Sequence, residues 1–303
     1  MKKNSKLKVR QKFRIENYID TIRRRVDLAI RKNLSQGKDR VSRAMRHAVL
    51  NGGKRLRPVL LIATFESLGG KIDSLVLTIA AAIEFIHTFS LIQDDLPALD
   101  NDDYRRGNPA VHKLYGEDIA ILASDSLLNE AYKIVLEEDA LDAGLKVKIA
   151  SELMRTVKIL ISGQEMDLAL TLRKPVGLLR LKEIYLGKTA ALITACMKIA
   201  GILRKVKASE LRRLNSFGMK LGMSYQVLDD ILNVTADNKA FEGRKFSDQR
   251  KGKITYVSLI GVKKSKETVE NLIKAAKREI AKINYIDKEK LYSLCDFLLK
   301  RTY

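Results

Sequence analysis

The sequence predicts an all-α protein that forms a single helical domain. Apolar residues recur at three- and four-residue spacing almost throughout, which is the period of an amphipathic helix. Only four prolines interrupt the 303 residues, and the strong helix formers Leu, Ala, Lys, Arg and Glu are abundant. No segment alternates convincingly as a strand, and no linker rich in Gly, Ser or Pro divides the chain. We therefore expect a bundle of about ten or more helices.

The predicted helices follow one another with short connections. All four prolines lie at helix starts or in connections, where a missing N–H group is tolerated. The periodicity predicts helices over 14–34, 38–51, 57–69, 73–95, 117–138, 144–172, 178–203, 208–236, 254–262, 264–283 and 287–300.

The sequence divides into a short N-terminal extension and one domain. Residues 1–14 form a strongly basic N-terminal extension without the apolar core of a secretory signal. A transit peptide is the alternative for this extension. We assign residues 15–303 to one domain.

The chain carries a formal net charge of +21, from 57 Lys and Arg against 36 Asp and Glu. Such a charge could attract nucleic acid or an anionic membrane surface. However, Lys and Arg are spread along the whole chain, without interleaved aromatic residues and without a recognised nucleic-acid motif. We therefore expect a solvated basic surface and no nucleic-acid partner.

Composition also bears on the compartment. The apolar run from Val76 to Ile92 contains Glu84 and His87, which favours a buried helix over a membrane span. The only two cysteines lie far apart, without the spacing of a metal site or a disulfide framework. This usage is typical of a reducing compartment, so we expect a cytoplasmic protein.

Two aspartate pairs, Asp94-Asp95 and Asp229-Asp230, each end a long apolar stretch. A proline follows the first pair, so we expect the helix to break near Asp95 and a loop to bring Asp100 back towards Asp94. Taken alone, such a cluster is more often a solvated loop. In so basic a protein, it indicates instead a diphosphate held through Mg²⁺, with carboxylates on the metal and cations on the phosphate.

The second motif has helical spacing. Gln226, Asp229 and Asn233 lie three and four residues apart and therefore share one helix face. Because both aspartate pairs end an apolar helix, we expect two helices side by side with their carboxylates facing each other across a cavity.

Cationic motifs occur at four places. A turn with three positive charges at 52–57 precedes a helix, where an anion is favoured. Arg105-Arg106 directly follows the first acidic motif, and a forked donor there can share a ligand with metal ions. Lys188-Thr189 lies in an apolar stretch, where a buried lysine needs a partner. The fourth is Lys251-Gly252-Lys253, and a polar motif at 162–167 accompanies them.

The ordered set of motifs resembles the trans-type short-chain isoprenyl diphosphate synthases, specifically the bacterial farnesyl diphosphate synthase group. The resemblance extends from about residue 15 to the C-terminus. Each motif alone is weak or moderate, but the set in this order is very specific. It comprises Gly-Gly-Lys-Arg-Leu-Arg-Pro (52–58), Asp-Asp-Leu-Pro-Ala-Leu-Asp (94–100), Arg-Arg-Gly (105–107), Gly-Gln-x-x-Asp (163–167), Lys-Thr (188–189) and Gln-x-x-Asp-Asp-Ile-Leu (226–232).

The resemblance implies a homodimeric all-α bundle around a deep central cavity, with about three Mg²⁺ ions between the aspartate motifs. The implied metal ligands are Asp94, Asp100 and Asp229, supported by Asp95 and Asp230. The implied ligands of the allylic diphosphate are Arg105, Lys188, Thr189, Gln226 and Lys253. The implied ligands of the isopentenyl diphosphate are Lys54, Arg57, His87 and Arg106.

The implied reaction joins isopentenyl diphosphate to an allylic diphosphate, dimethylallyl or geranyl, by ionisation, condensation and elimination. The residues implied in catalysis are Asp94, Asp100, Asp229, Lys188 and Arg105. The released diphosphate serves as the base, so no dedicated His or Glu base is required. This agrees with a chain that has only three histidines.

Two residues of the 73–95 helix have competing interpretations. A lone histidine such as His87 is usually a satisfied core residue, but the resemblance favours a ligand role. Phe89, five residues before Asp94, is most simply core packing. In the family, an aromatic residue there, together with the Pro97-Ala98 insertion, forms a floor that stops chain growth near fifteen carbons. We therefore expect farnesyl diphosphate, with geranylgeranyl diphosphate as the alternative.

The sequence departs from the family pattern at several positions. Asn233 replaces the third aspartate of the second motif and removes a negative charge. Gln93 replaces a histidine, Ser162 replaces a glycine, and the loop at 242–246 replaces a Gly-Lys pattern, so that Arg244 or Lys245 would supply its cation. None of these changes removes a carboxylate implied as a direct metal ligand.

Two other protein classes are weighed against this interpretation. A terpene cyclase also ionises an allylic diphosphate with Mg²⁺, but its single diphosphate site would leave the 52–57 turn and the paired motifs unexplained. A weakly active or non-catalytic subunit of a heteromeric prenyl synthase would accommodate Asn233 and the 242–246 loop. The intact Asp94, Asp100 and Asp229 argue against that possibility.

Overall fold

The computed structural model describes residues 13–170, 177–235 and 254–300. Within these ranges the chain is almost entirely helical, which confirms the predicted all-α class. Lys253, the 242–246 loop and most of the 1–14 extension lie outside the described residues. The deep central cavity stays a prediction.

The first four helices build the centre of the protein. They are α1 (Ile15–Asn33), α2 (Arg40–Leu50), α3 (Leu56–Ser67) and α4 (Ser74–Asp95). The Asp73 carboxylate caps α4 by accepting a hydrogen bond from the Val76 amide at 3.0 Å. Helix α4 is apolar on nearly every side and buries 14 of its 22 residues. It is therefore a core helix that other elements surround.

The remaining elements surround this centre. They are β1 (Tyr104–Arg105), β2 (Asn108–Pro109), α5 (Val111–Tyr115), α6 (Glu117–Leu136), α7 (Ala143–Leu170), α8 (Leu178–Tyr185), a π-helical segment (Leu186–Ala190), α9 (Ala191–Leu203), α10 (Ala208–Thr235), α11 (Tyr256–Ala281) and α12 (Glu289–Leu299). Most bounds agree with the predicted helices to within a few residues. The predicted break between 254–262 and 264–283 is a kink at Gly261, where φ is +80°.

A small hairpin and the short helix α5 were not predicted. Strands β1 and β2 pair antiparallel over two residues each, which is too short to show alternation in the sequence. The two residues between them, Arg106 and Gly107, have φ values of +56° and +80°. Positive φ at both central positions is the geometry of a tight hairpin turn, and Gly107 adopts it at little cost.

The predicted helix at 178–203 is interrupted by the π-helical segment. A Cβ atom on Gly163 of α7 would lie 2.4 Å from the Lys188 backbone nitrogen. The two backbones therefore touch, and only glycine at this position permits the contact. The wider π turn fits α8 and α9 around this contact, as single π turns do at many functional sites. Lys188 and Thr189 lie within this π turn, so their side chains do not follow the spacing of a regular α-helix.

Among the residues that the structure describes, two helical stretches are long and apolar enough to cross a membrane by length and composition: Ser74–Asp95 and Leu178–Leu203. In the structure, 72% and 67% of their apolar windows are buried inside the protein. The prediction that the 73–95 stretch is a buried helix is thus confirmed.

The contact between α7 and the π-helical segment can be tested with Gly163→Ala. We expect the added methyl group to lower the free energy of unfolding by on the order of 1–3 kcal/mol, outweighing a gain in helix propensity of about 1 kcal/mol. Urea denaturation measures this change. Gly177→Ala is the control, because no heavy atom of the described residues, chain neighbours aside, lies within 4 Å of the Cβ position there. Equal stability of Gly163→Ala and wild type would contradict the close contact.

Candidate functional site

The first acidic motif wraps around the C-terminal end of α4. The Asp100 amide donates to the Asp94 carbonyl at 2.8 Å, and the Asp102 amide donates to the Asp95 carbonyl at 3.3 Å. The predicted return of Asp100 to Asp94 is therefore confirmed. These bonds satisfy two carbonyls that the helix end leaves without intrahelical partners. They also gather carboxylates where the helix dipole disfavours negative charge, so the cluster requires cations.

Burial disfavours the ionised form of Asp94. Burial raises the pKa of Asp94 to about 6. The positive charges of Lys188 and Arg105 oppose this rise, whereas the negative charges of Asp100 and Asp95 add to it. The neighbouring cations thus do not fully offset the cost of burying this ionised carboxylate, and a bound divalent cation would offset it further.

Asp95 points into the protein and has a different environment. It is only 3% exposed and accepts a 2.8 Å hydrogen bond from Arg105 Nε, while Arg105 Nη2 donates to the same carboxylate. Burial raises the pKa of Asp95, and the hydrogen bond and charge of Arg105 oppose that rise. Arg105 Nη2 also lies 3.4 Å from Asp102 Oδ2. Asp95 therefore holds the hairpin against the end of α4.

A cluster of cationic side chains surrounds His87, which lies about two turns before Asp94 on α4. Arg57 Nη1 donates to His87 Nε2 at 3.1 Å, so His87 is a neutral imidazole with its proton on Nδ1. Burial lowers the pKa of His87 well below its usual value, and the charges of Arg57, Arg106 and Arg105 lower it further. Lys54 lies exposed in the same turn as Arg57. This concentration of positive charge suits a polyanionic ligand.

The π-helical segment connects the two acidic motifs. Lys188 Nζ donates to Asp167 Oδ2 of α7 at 2.7 Å, which supplies the partner expected for a lysine in an apolar stretch. The charge of Lys188 also lowers the pKa of Asp94. Its neighbour Thr189 donates from Oγ1 to Gln226 Oε1 of α10 at 2.6 Å. The segment thus contacts the helix that carries the second motif.

The expectation that the two motif-bearing helices pack side by side is wrong, whereas the facing of their carboxylates across a cavity stays a prediction. Within the described ranges, α4 does not pack along α10; α9 contacts both helices, and the π-helical segment packs on α10. Both aspartate pairs end apolar helices, but an apolar helix can bury its surface against any neighbour. The sequence pattern therefore did not determine which helices pack together.

The second aspartate pair repeats the arrangement of the first. Asp230 is 3% exposed and accepts hydrogen bonds from the Tyr185 hydroxyl at 2.7 Å and the Tyr256 amide at 2.9 Å. Burial raises its pKa to about 6, and these hydrogen bonds oppose the rise. Asp229 is partly exposed, as Asp94 is. In each pair the first carboxylate is accessible and the second is a buried anchor.

The structure adds residues that sequence reasoning missed. Tyr185 lies 45 residues from Asp230 in sequence, and nothing in its local sequence marks it as a partner. His112 is 8% exposed and lowers the pKa of Asp95 from the short helix α5. Glu84 was noted only as a charge in an apolar run, yet it is 1% exposed and bonded to Arg55. The position of this charged residue within the apolar run from Val76 to Ile92 was the sequence signal that could have identified it.

The carboxylates of the two acidic motifs fit Mg²⁺ that is bound together with a substrate. Across the described residues, no three His, Cys, Asp or Glu side chains converge into a complete metal site. Mg²⁺ commonly keeps several waters and takes only one or two protein carboxylates together with substrate phosphates. Asp94, Asp100 and Asp229 fit that mode, in which diphosphate oxygens complete the coordination.

Comparison with known proteins places this arrangement in a family. The family model for polyprenyl synthetases matches residues 38–290. A dimethylallyltranstransferase of Fischerella ambigua is 36% identical over 298 residues, covering 96% of this chain and 85% of that protein. The geranylgeranyl pyrophosphate synthase 4 of Arabidopsis thaliana is 37% identical over 267 residues, covering 87% of this chain and 71% of that protein.

A solved structure shows the same likeness. The geranyltransferase of Helicobacter pylori, complexed with magnesium and isoprenyl diphosphate, has a TM-score of 0.83 with 28% identity. The match covers 96% of this chain and 99% of that one. The chain therefore belongs to the polyprenyl synthetase family of short-chain prenyltransferases.

Proposed function

We propose that the chain condenses isopentenyl diphosphate with an allylic diphosphate, dimethylallyl or geranyl, and releases farnesyl diphosphate. The observation that carries this proposal is the presence of two separate cationic groups. Arg57 and Arg106, together with the neutral His87, form one, and Lys188 with its uncharged neighbour Thr189 forms the other beside the acidic motifs. A transferase that joins two diphosphate esters needs two such sites, whereas a cyclase needs one.

The allylic diphosphate is assigned to the side that faces the two acidic motifs. Lys188, Thr189 and Gln226 lie together there, and Arg105 is held at the end of α4 by Asp95. Lys253, proposed as a further ligand, lies outside the described residues. The isopentenyl diphosphate is assigned to Lys54, Arg57, His87 and Arg106, where the neutral His87 donates from Nδ1.

The proposed metal ligands are Asp94, Asp100 and Asp229, with about three ions per site. A relative's structure with magnesium and isoprenyl diphosphate supports this ligand chemistry. When bound, Mg²⁺ neutralises charge on the diphosphate and stabilises it as a leaving group. Asp95 and Asp230 hold the accessible carboxylates in place through Arg105, Tyr185 and the Tyr256 amide.

The chain's own residues act on charge and position. As the allylic C–O bond breaks and its electron pair leaves with the diphosphate, Lys188 and Arg105 stabilise the growing negative charge. The double bond of isopentenyl diphosphate, held by Arg57 and His87, then attacks the allylic cation and forms the new C–C bond. A proton is lost to the released diphosphate, so no side-chain base is required.

The proposed product length rests on Phe89. This side chain is 3% exposed in the core and lies five residues before Asp94, about 7.5 Å along the helix axis. An aromatic ring at that depth limits the space for a growing chain. Geranylgeranyl diphosphate is the second candidate product, because the Arabidopsis relative is named a geranylgeranyl pyrophosphate synthase.

We further propose a homodimer that works in the cytoplasm. Helix α7 exposes Val147, Met154 and Ile161 at 61%, 50% and 57%, and their seven-residue spacing forms one apolar stripe. Ile121 and Leu122 of the neighbouring α6 are also about half exposed, at 47% and 51%. An exposed apolar surface of this kind is typical of a subunit interface. Both cysteines are buried and unpaired, which fits a reducing compartment.

Product analysis tests the proposed function. Purified protein is incubated with Mg²⁺, labelled isopentenyl diphosphate and dimethylallyl, geranyl or farnesyl diphosphate in turn. We expect a fifteen-carbon diphosphate from the first two primers. A twenty-carbon product would keep the reaction and reject Phe89 as the floor. No elongation with any primer would contradict the proposed activity and favour the weakly active subunit.

The raised pKa of the Asp94 carboxyl gives a stability prediction. The folded-state pKa of about 6 exceeds the unfolded value of 3.8, so the native state holds the proton more tightly. Without metal, the protein therefore loses stability as pH rises from about 4 to about 6, and the penalty persists above that range. Asp94→Asn should raise the free energy of unfolding by on the order of 1–2 kcal/mol at about pH 7.5, while abolishing most turnover.

Urea denaturation in the presence of a chelator, at about pH 5 and about pH 7.5, measures this effect. Asp39→Ala is the control of opposite sign, because the Asp39 carboxylate caps α2 and its pKa is lowered by the Ser42 amide. It should lower stability by a similar amount at both pH values, because a carboxyl with a lowered pKa changes stability with pH only below about pH 4. If Asp94→Asn destabilised the protein at both pH values, the carboxylate would have a structural role instead.

Removing the ring of Phe89 should lengthen the product. We expect Phe89→Ala to yield twenty-carbon or longer diphosphates, because the truncated side chain opens the core beneath the aspartates. Chromatography of the labelled products measures the change. Phe65→Ala is the control. This ring, near the end of α3, is also buried, at 7% exposure, but it packs against Arg204. An unchanged product from Phe89→Ala would show that another residue limits the chain.

A further inference from the structure

Glu84 is a buried carboxylate on α4 that the mechanism above does not use. It is 1% exposed, and its Oε1 accepts a 2.7 Å hydrogen bond from Arg55 Nη1. The same oxygen lies 3.7 Å from Arg106 Nη2. A buried carboxylate is retained only where cations compensate it. Here one oxygen compensates two arginines that belong to different segments of the chain.

Both arginines are fixed by further partners. Arg55 is 3% exposed and donates to Asp27 Oδ1 at 2.8 Å and to the Val49 carbonyl at 2.7 Å. It therefore anchors the 52–57 turn to α1 and to the end of α2. Arg106 Nη1 donates to the Gly52 carbonyl.

The turn and the hairpin are in direct contact. A Cβ atom on Gly53 would lie 2.7 Å from Arg106 Cζ, so the bare backbone of the turn packs on the guanidinium. Gly53 has a φ of +126°, which favours glycine in any case. Arg106 is thus enclosed between the turn and Glu84.

We propose that Glu84 is the positioning residue of the isopentenyl diphosphate site. It joins the three segments whose side chains form that site: the 52–57 turn, the hairpin with Arg106, and α4 with His87 three residues later. The ligand named here rests on the proposed function. Glu84 touches no substrate and acts by fixing the relative positions of the cations.

Electrostatics supports this role. Burial lowers the pKa of Arg106, Glu84 opposes that effect, and the charges of Arg55, Arg105 and Arg57 lower it further. Without the Glu84 charge, Arg55 and Arg106 would repel each other with no shared anion between them. We therefore expect the turn and the hairpin to separate when the charge is removed and no diphosphate is bound.

Steady-state kinetics of Glu84→Gln test the proposal. The amide keeps the shape and one acceptor but removes the charge. We expect the KM for isopentenyl diphosphate to rise at least about tenfold, while the KM for geranyl diphosphate changes by less than about twofold. The matched control is Glu152→Gln, because Glu152 is 7% exposed and bonded to Lys198 and Arg155 between α7 and α9. It should lower the Tm and leave both KM values unchanged.

Asp27→Asn provides a second variant in case Glu84→Gln does not fold. Asp27 is partly exposed and bonds Arg55 Nε at 2.8 Å, so its loss loosens the same network more mildly. We expect a rise of about threefold in the isopentenyl diphosphate KM alone. Equal rises in both KM values, or no rise in the folded variants, would overturn the positioning role.

Calorimetry separates this proposal from the proposed function. If wild-type protein forms no product, the condensation proposal fails, and binding of inorganic diphosphate without Mg²⁺ still tests Glu84. Weaker binding in Glu84→Gln or Asp27→Asn than in Glu152→Gln would support the positioning role. Equal binding in all of these variants would overturn it.

Discussion

The site depends on the hydrogen bonds made by the buried second carboxylate of each aspartate pair. Asp95 is bonded to Arg105, and Asp230 is bonded to Tyr185 and the Tyr256 amide. Each anchor fixes the backbone of its neighbour, so Asp94 and Asp229 remain accessible at defined places. The same anchors attach other elements to the core helices: the hairpin at Asp95, and α8 and the start of α11 at Asp230. The accessible carboxylates can therefore repel one another without moving apart.

The site concentrates local strain where the ligands are proposed to bind. Four non-glycine residues in the described chain have positive φ, and three of them, Arg55, Asn101 and Arg106, lie in the cationic turn, the acidic loop and the hairpin. Each such conformation costs roughly 1 kcal/mol or more and persists only where surrounding contacts impose it. Glu84 and Asp27 supply those contacts for Arg55, and the Gly52 carbonyl and Glu84 supply them for Arg106. The fold's stability thus holds the cations in place before any ligand arrives.

Most of the fold was predictable from the sequence because helical periodicity is a local signal. The break near Asp95 was predictable too, since a proline two residues later restricts the backbone. The two-residue hairpin, α5 and the π-helical segment were not, because each depends on contacts with distant residues. Gly163 shows this clearly: its sequence neighbours indicate a regular helix, and only the backbone of Lys188 packed against it explains the π turn.

The candidate site was predictable to a similar extent. Motif order identified the residues that could bind metal or diphosphate, but it did not show which of them are committed to other partners. Arg105 bonded to Asp95, Lys188 bonded to Asp167 and the buried Glu84 became visible only in three dimensions. The expectation of adjacent motif-bearing helices was wrong for the same reason, since two equally apolar helices give no signal of which neighbour each one buries against.

The central claim is that accessible carboxylates and nearby cations form one site for a metal and a diphosphate together. The most direct measurement is the shift in Tm of the wild-type protein with Mg²⁺ alone, with inorganic diphosphate alone, and with both. Because a ligand stabilises only the state that binds it, coupled binding must exceed the sum of the separate effects. We expect a shift with both ligands that is clearly larger than the two single shifts added together. A combined shift equal to that sum would show independent sites and would contradict it.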